Sequence, residues 1–110
     1  MLKNFKRPLL LTALCCTASL ANAQAWPSKT VTIVVPFPAG GTTDVLARAV
    51  SNKLSAAIGQ AVIVDNKPGA GATLGADLVA KAPADGHTLL MGAVHHTVAT
   101  SVYKTLRYSF

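Results

Sequence analysis

Three short segments hold the residue types that could do chemistry. The first is Pro36-Phe37-Pro38-Ala39-Gly40-Gly41-Thr42-Thr43-Asp44, a glycine-rich loop between a β-branched run and a helical pattern. Backbone N–H groups exposed at a helix N-terminus bind anions, and glycine lets a ligand come close to the backbone. No Lys-Ser/Thr pair follows the glycines, which argues against a nucleoside-triphosphate loop. A carboxylate or another small anion fits instead; a tight connector with a hydroxyl cap is the plain alternative. Asp44 is assigned to capping, because a carboxylate beside an anion site repels its ligand.

The second segment, Gly69-Ala70-Gly71-Ala72-Thr73-Leu74-Gly75, resembles a dinucleotide fingerprint with one extra spacer. That motif needs an acidic residue about 20 positions on, at the end of a strand. Asp85 falls short of this and sits in a turn, and Pro68 disturbs the entry. The segment therefore reads as a ligand-facing or purely structural loop, and no cofactor is expected.

The third segment is Gly92-Ala93-Val94-His95-His96-Thr97. In an extended segment adjacent histidines point to opposite sides, so the pair is not expected to ligate one metal. No zinc spacing accompanies them. Nor can a nucleophile, base and orienting acid be drawn anywhere in the chain, and Gly-x-Ser-x-Gly is absent. The segment reads as a strand-end loop facing the same cleft as the first, or as a surface loop with solvated histidines.

Alternating strands and helices must position these loops. Thr30–Val35 is a β-branched run stopped by Pro36, read as a strand buried on both faces. Thr42 or Thr43 is the expected N-cap of a helix whose stripe is Leu46, Val50, Leu54 and Ile58, broadened by Val45, Ala49 and Ala57, with Gly59 as terminator. Ala61–Asp65 is a second buried strand. Thr73 is the expected cap of a helix reaching Lys81, His87–Met91 is a third strand, and a short helix is expected over Thr97–Tyr103. The order β-α-β-α-β predicts an α/β fold with a parallel sheet and right-handed crossovers. Three strands make only half of a doubly wound domain, so the chain reads as the front end of something longer.

The first residues read as an address. A cationic start (Lys3, Lys6, Arg7), an apolar run Leu9–Leu20 and Ala21-Asn22-Ala23 match a cleaved export signal over residues 1–23. The run is too short for a bilayer span of roughly 20 residues. Cys15 and Cys16 leave with it, so the mature part, 24–110, has no thiol or disulfide framework. Of 110 residues, 10 are Lys or Arg and 4 are Asp or Glu, a formal +6. Once the leader is gone about +3 remains, scattered and without the stripe that nucleic acid requires. With 13% charged and 51% hydrophobic residues, the chain is not a disordered tail.

Together these stretches resemble the Bug family, the periplasmic solute receptors of tripartite tricarboxylate transporters. The likeness is carried by Trp26-Pro27-Ser28-Lys29 leading into Val31–Asp44, by Val64–Ala76, by Pro83–Gly92, and by Tyr103–Tyr108. It implies a type II periplasmic-binding fold of two hinged α/β lobes, of which 24–110 is the front part of lobe one. It also implies a small carboxylate ligand held between the lobes. On that likeness Phe37, Ala39, Gly40, Gly41, Thr42 and Thr43 form the first-lobe wall, joined by Val94, His95, His96 and Thr97. The His95-His96 pair departs from the small or hydroxyl residues usual at that loop. The expected function is a non-enzymatic periplasmic receptor that presents its ligand to membrane transporter subunits, itself outside the membrane. The alternatives are a fragment of an exported α/β enzyme and a binding protein feeding a signalling system.

Overall fold

The β-branched run Val31–Val35 forms strand β1 in the computed structural model, which describes residues 25–109. The expected signal segment, with Cys15 and Cys16, lies outside the described residues. Helix α1 follows at Thr42–Ile58, strand β2 at Val62–Asn66, a 3-10 turn at Ala70–Ala72, helix α2 at Thr73–Lys81, strand β3 at Thr88–Leu90 and helix α3 at His95–Val102. The strands lie in the order β2-β1-β3, and both neighbours run parallel to β1. The α/β class and the parallel β-α-β-α-β order are thus as expected.

The central position of β1 explains its composition. Side chains alternate across a strand, so Ile33 and Val35 share one face and pack with Ala47 of α1, flanked by Val62, Val64 and Leu89. Val34 and Pro36 belong to the other face and are fully buried. Pro36 meets α2 at Gly75, where a Cβ would sit 2.8 Å from the Pro36 Cβ. Helices therefore cover both faces of β1.

Several expectations need correction. β2 is an edge strand and not a buried one: Ile63 is half exposed, because β3 took the other flank of β1. The N-cap of α1 is Gly41, with no side-chain cap, and that of α2 is Ala72. Neither Thr42, Thr43 nor Thr73 serves; the Thr73 hydroxyl donates to the Ala70 carbonyl. Gly59 does end α1, in the left-handed conformation, with its N–H on the Ser55 carbonyl.

The largest correction concerns the face of α1. Asp44, Ala47 and Ser51 are the buried residues, whereas Leu46 is 56% and Val50 40% exposed. Ala49, Val50, Leu54 and Ala57 instead line a shallow outward depression. The polar ties of Asp44 described below set the rotation of the helix, and small Ala47 lets its backbone approach β1. No helix among the described residues is long and apolar enough to cross a membrane.

Candidate functional site

In a parallel sheet the loops after the strands and the N-termini of the following helices meet at one edge, where ligands of open α/β sheets sit. Here that edge carries the loops after β1, β2 and β3.

The first loop is fixed by Asp44. Its Oδ2 accepts from the Gly40 N–H at 2.8 Å and from Arg48 Nε at 3.0 Å, and its Oδ1 accepts from Asn66 Nδ2 at 2.9 Å. Asn66 also donates to the Phe37 carbonyl at 3.1 Å and accepts from Arg48 Nη2 at 3.2 Å. A residue at the end of β2 thereby pins the loop that leaves β1. The Arg48 hydrogen bond, then those from Gly40 and Asn66, lower the Asp44 carboxyl from 3.8 to about 2. Asp44 thus reaches back to the loop rather than capping the helix in the usual way, and Arg48 balances its charge beside the site. Gly41 N–H is occupied by the Pro38 carbonyl at 3.4 Å. Gly40 and Gly41 therefore spend their amides within the loop, which leaves the first-turn amides of α1, at Thr42 and Thr43, without intrahelical partners.

The histidines lie in the first turn of α3 and not in an extended segment. Their rings are neighbours at 4.2 Å between centroids, which corrects the expectation that they diverge. Among the described residues no three His, Cys, Asp or Glu side chains form a group that could hold a metal ion. His96 is 2% exposed. Its Nδ1 lies 3.1 Å from the Ala93 N–H and its Nε2 3.3 Å from the Ala72 carbonyl. The Ala93 carbonyl lies 3.1 Å from Nδ1 as well, so Nε2 faces an acceptor and Nδ1 faces both a donor and an acceptor. His95 lies edge-on to Phe37, ring centroids 5.0 Å apart, and its Nε2 is enclosed without a hydrogen-bond partner. Phe37, from the first loop, is thereby in contact with the third. Val94 is 81% exposed, and the Thr97 hydroxyl donates to the Val94 carbonyl at 2.6 Å. Ala39 to Thr42 lie on the surface at the same edge, with Thr43 half-buried.

The loop after β2 completes the edge. Ala70, Gly71 and Ala72 have φ of 48°, 61° and 65°, a left-handed turn that non-glycine residues adopt at a cost of roughly 1–2 kcal/mol each. His96 holds the carbonyl of its last residue. Pro68, Gly69 and Ala72 line, with Phe37, Pro38 and His95, a recess of about 380 Å³. Sequence reasoning placed Phe37 and His95 in a wall, read the loop from Gly69 as either ligand-facing or structural, and left out Pro68. The signal available was the alternation itself: in a parallel sheet the loop after β2 must share its edge with the loop after β1.

A second polar cluster sits at the opposite end of the sheet. Asp85 pairs with Lys29 at 2.9 Å and accepts the His87 N–H at 3.0 Å, while the Ser28 N–H reaches His87 Nε2 at 3.2 Å. Lys29 and then the His87 amide lower the Asp85 carboxyl to about 2. This cluster ties the segment before β1 to the turn before β3, away from the recess.

Residues 46–110 match the model of the tripartite tricarboxylate transporter family receptors. The chain belongs to that family. A protein of Pseudomonas sp. (strain P51), described only by its place in the tcbD-tcbE intergenic region, is 47% identical over 106 residues, 94% of this chain. Those residues span 32% of that relative, so the chain covers about a third of its length. Among solved structures, MatC of Rhodopseudomonas palustris with bound malate is 42% identical and covers 76% of this chain and 29% of its own, with TM-score 0.69. A second R. palustris protein, solved with adipate, is 41% identical, with TM-score 0.68 over 77% of this chain and 29% of its own. The periplasmic binding protein BugD is 45% identical over 59% of this chain and 22% of its own, with TM-score 0.57. The family is one of receptors, in agreement with a binding protein and not an enzyme, and its solved relatives include periplasmic binding proteins.

Proposed function

We propose that the chain supplies the first-lobe wall of a periplasmic receptor for a small carboxylate. On this reading residues 1–23 direct export and are removed, and 24–110 form the front of lobe one. The ligand passes to a tripartite tricarboxylate-type membrane transporter. The observation that carries it is the convergence of the loops after all three strands, with Phe37 and His95 in ring contact, at the edge where the helix N-termini also lie. Partial positive charge from those N-termini favours an anion without a cationic side chain. Relatives solved with malate and adipate support the ligand class.

Within the wall, Thr42 and Thr43 are assigned to the carboxylate through their first-turn amides. Phe37 and His95 are assigned to direct contact, with Ala39, Gly40, Gly41, Val94 and Thr97 at the rim. His96 acts as a positioning residue, since backbone groups on two loops occupy its nitrogens. The test is calorimetric titration of the full-length mature protein with mono-, di- and tricarboxylates. Saturable binding of a carboxylate, weakened at least tenfold by Thr43→Pro, is the expected result. Titrations that stay flat for every carboxylate overturn the proposal.

A further inference from the structure

We infer that the recess selects the carbon body of the ligand, so the preferred carboxylate carries an extended apolar or aromatic body and not a compact cluster of acid groups. This rests on the receptor reading above. At about 380 Å³ the recess falls within the range of small-molecule pockets, roughly 300–1,000 Å³. Its wall is almost entirely carbon: Phe37, Ala72, the ring of His95 and the prolines at positions 36, 38 and 68.

The prolines decide the chemistry. Proline has no N–H, so at three places where the backbone could have offered a donor it offers a ring. Several other potential donors nearby are already engaged or enclosed. Gly40 and Gly41 N–H groups bond within their own loop, and His95 Nε2 is covered. No Lys or Arg lines the recess, and Lys67, next to Pro68 in the chain, pairs with Asp65 at 3.2 Å. A second carboxylate or hydroxyl pressed against the Phe37, His95 and proline surface would lose its water and find no side-chain donor there. A methylene chain or ring loses nothing there. One carboxylate can still meet the helix amides at Thr42 and Thr43, outside the recess proper.

The experiment is titration of the full-length mature protein with a homologous series, propanoate to hexanoate, with benzoate, and with malate and citrate. Affinity should rise about fourfold for each methylene that enters the recess. Hexanoate or benzoate should bind at least tenfold more tightly than citrate. Phe37→Ala should weaken hexanoate about tenfold or more and flatten the rise in affinity from propanoate to hexanoate. Pro68→Ser, on an exposed position, tests the same point if the Phe37 variant does not fold: it restores an N–H and adds a hydroxyl, and should shift preference toward malate. A flat series, or malate or citrate as the tightest ligand, overturns the inference and leaves the carboxylate receptor standing. Binding of none of these compounds removes both.

Discussion

Gly75 sets two well-calibrated effects against each other. It lies inside α2, where glycine costs roughly 1 kcal/mol relative to alanine, so helix propensity alone says Gly75→Ala stabilises the protein. The packing says the opposite. A Cβ at this position would lie 2.8 Å from the Pro36 Cβ and 3.1 Å from the Lys67 carbonyl oxygen. Carbon atoms prefer about 3.5–4.0 Å, and neither neighbour can turn aside. Pro36 is a ring buried in the sheet, and the Lys67 carbonyl is backbone leaving β2. Overpacking of this kind costs about 1–3 kcal/mol, which outweighs the propensity gain and leaves a net loss of about 1 kcal/mol. Urea unfolding of the full-length mature protein should show a lower midpoint with an unchanged slope. Ala80→Gly, at an exposed position of the same helix, provides the scale by losing about 1 kcal/mol. Relief of the clash moves α2 away from Pro36, which lines the recess, so carboxylate affinity should fall even where the variant is fully folded. A Gly75→Ala protein that is more stable by about 1 kcal/mol, with ligand binding intact, would refute the packing of α2 on β1 described here.

Three further outcomes follow from other parts of the fold. The Asp44 carboxyl titrates at about 2 in the folded chain against 3.8 ordinarily, so its stabilisation is complete above about pH 4 and is lost as pH falls toward 2. Asp44→Asn should therefore flatten the acid limb of a plot of unfolding midpoint against pH; an unchanged limb means the ties to Gly40, Arg48 and Asn66 do not form. Ala70→Gly removes a left-handed alanine and should raise stability by about 0.5–1 kcal/mol, after allowing for the freer unfolded glycine; a loss of stability in urea unfolding counts against that turn. Leu46→Gln should change stability by no more than about 0.5 kcal/mol, since Leu46 faces outward. A loss of 2 kcal/mol or more in the same assay would return Leu46 to the core.

What the sequence made legible was the part governed by local rules. The unbroken run Val31–Val35, the glycine at 59 and the prolines after β1 and α2 act through backbone preferences that need no partner. They placed the strands and helices to within about two residues. The face of α1 could not be read that way. Leu46, Val50, Leu54 and Ile58 make a regular stripe, yet Asp44, Ala47 and Ser51 recur with spacing just as helical. The choice between them was made by Asn66, 22 residues away from Asp44 in sequence, which no periodicity reveals. The same holds for the histidines. In their helix His96 reaches the carbonyl of Ala72, 24 residues earlier, a contact that no local pattern reveals. The recess needed the topology as well, because Pro68 and Phe37 come together only when β2 lies beside β1.

These long-range polar ties share one consequence. Loops at the edge of a three-stranded sheet would ordinarily be its least fixed parts, since few apolar contacts hold them. Here Asn66 and Asp44 clamp the first loop to the end of β2, and His96 clamps the second loop to the start of α3. Each clamp buries a group that is costly to leave unpaired, so the loops are held by penalties for letting go as much as by attraction. The same clamps consume amides that could otherwise have met an anion, Gly40 among them. Fixing the wall and engaging these donors are thus one event. What remains open is carbon on the recess side and the helix amides of Thr42 and Thr43 beside it. On the receptor reading proposed above, a wall divided in this way suits a ligand divided in the same way, with one charged end and one apolar body.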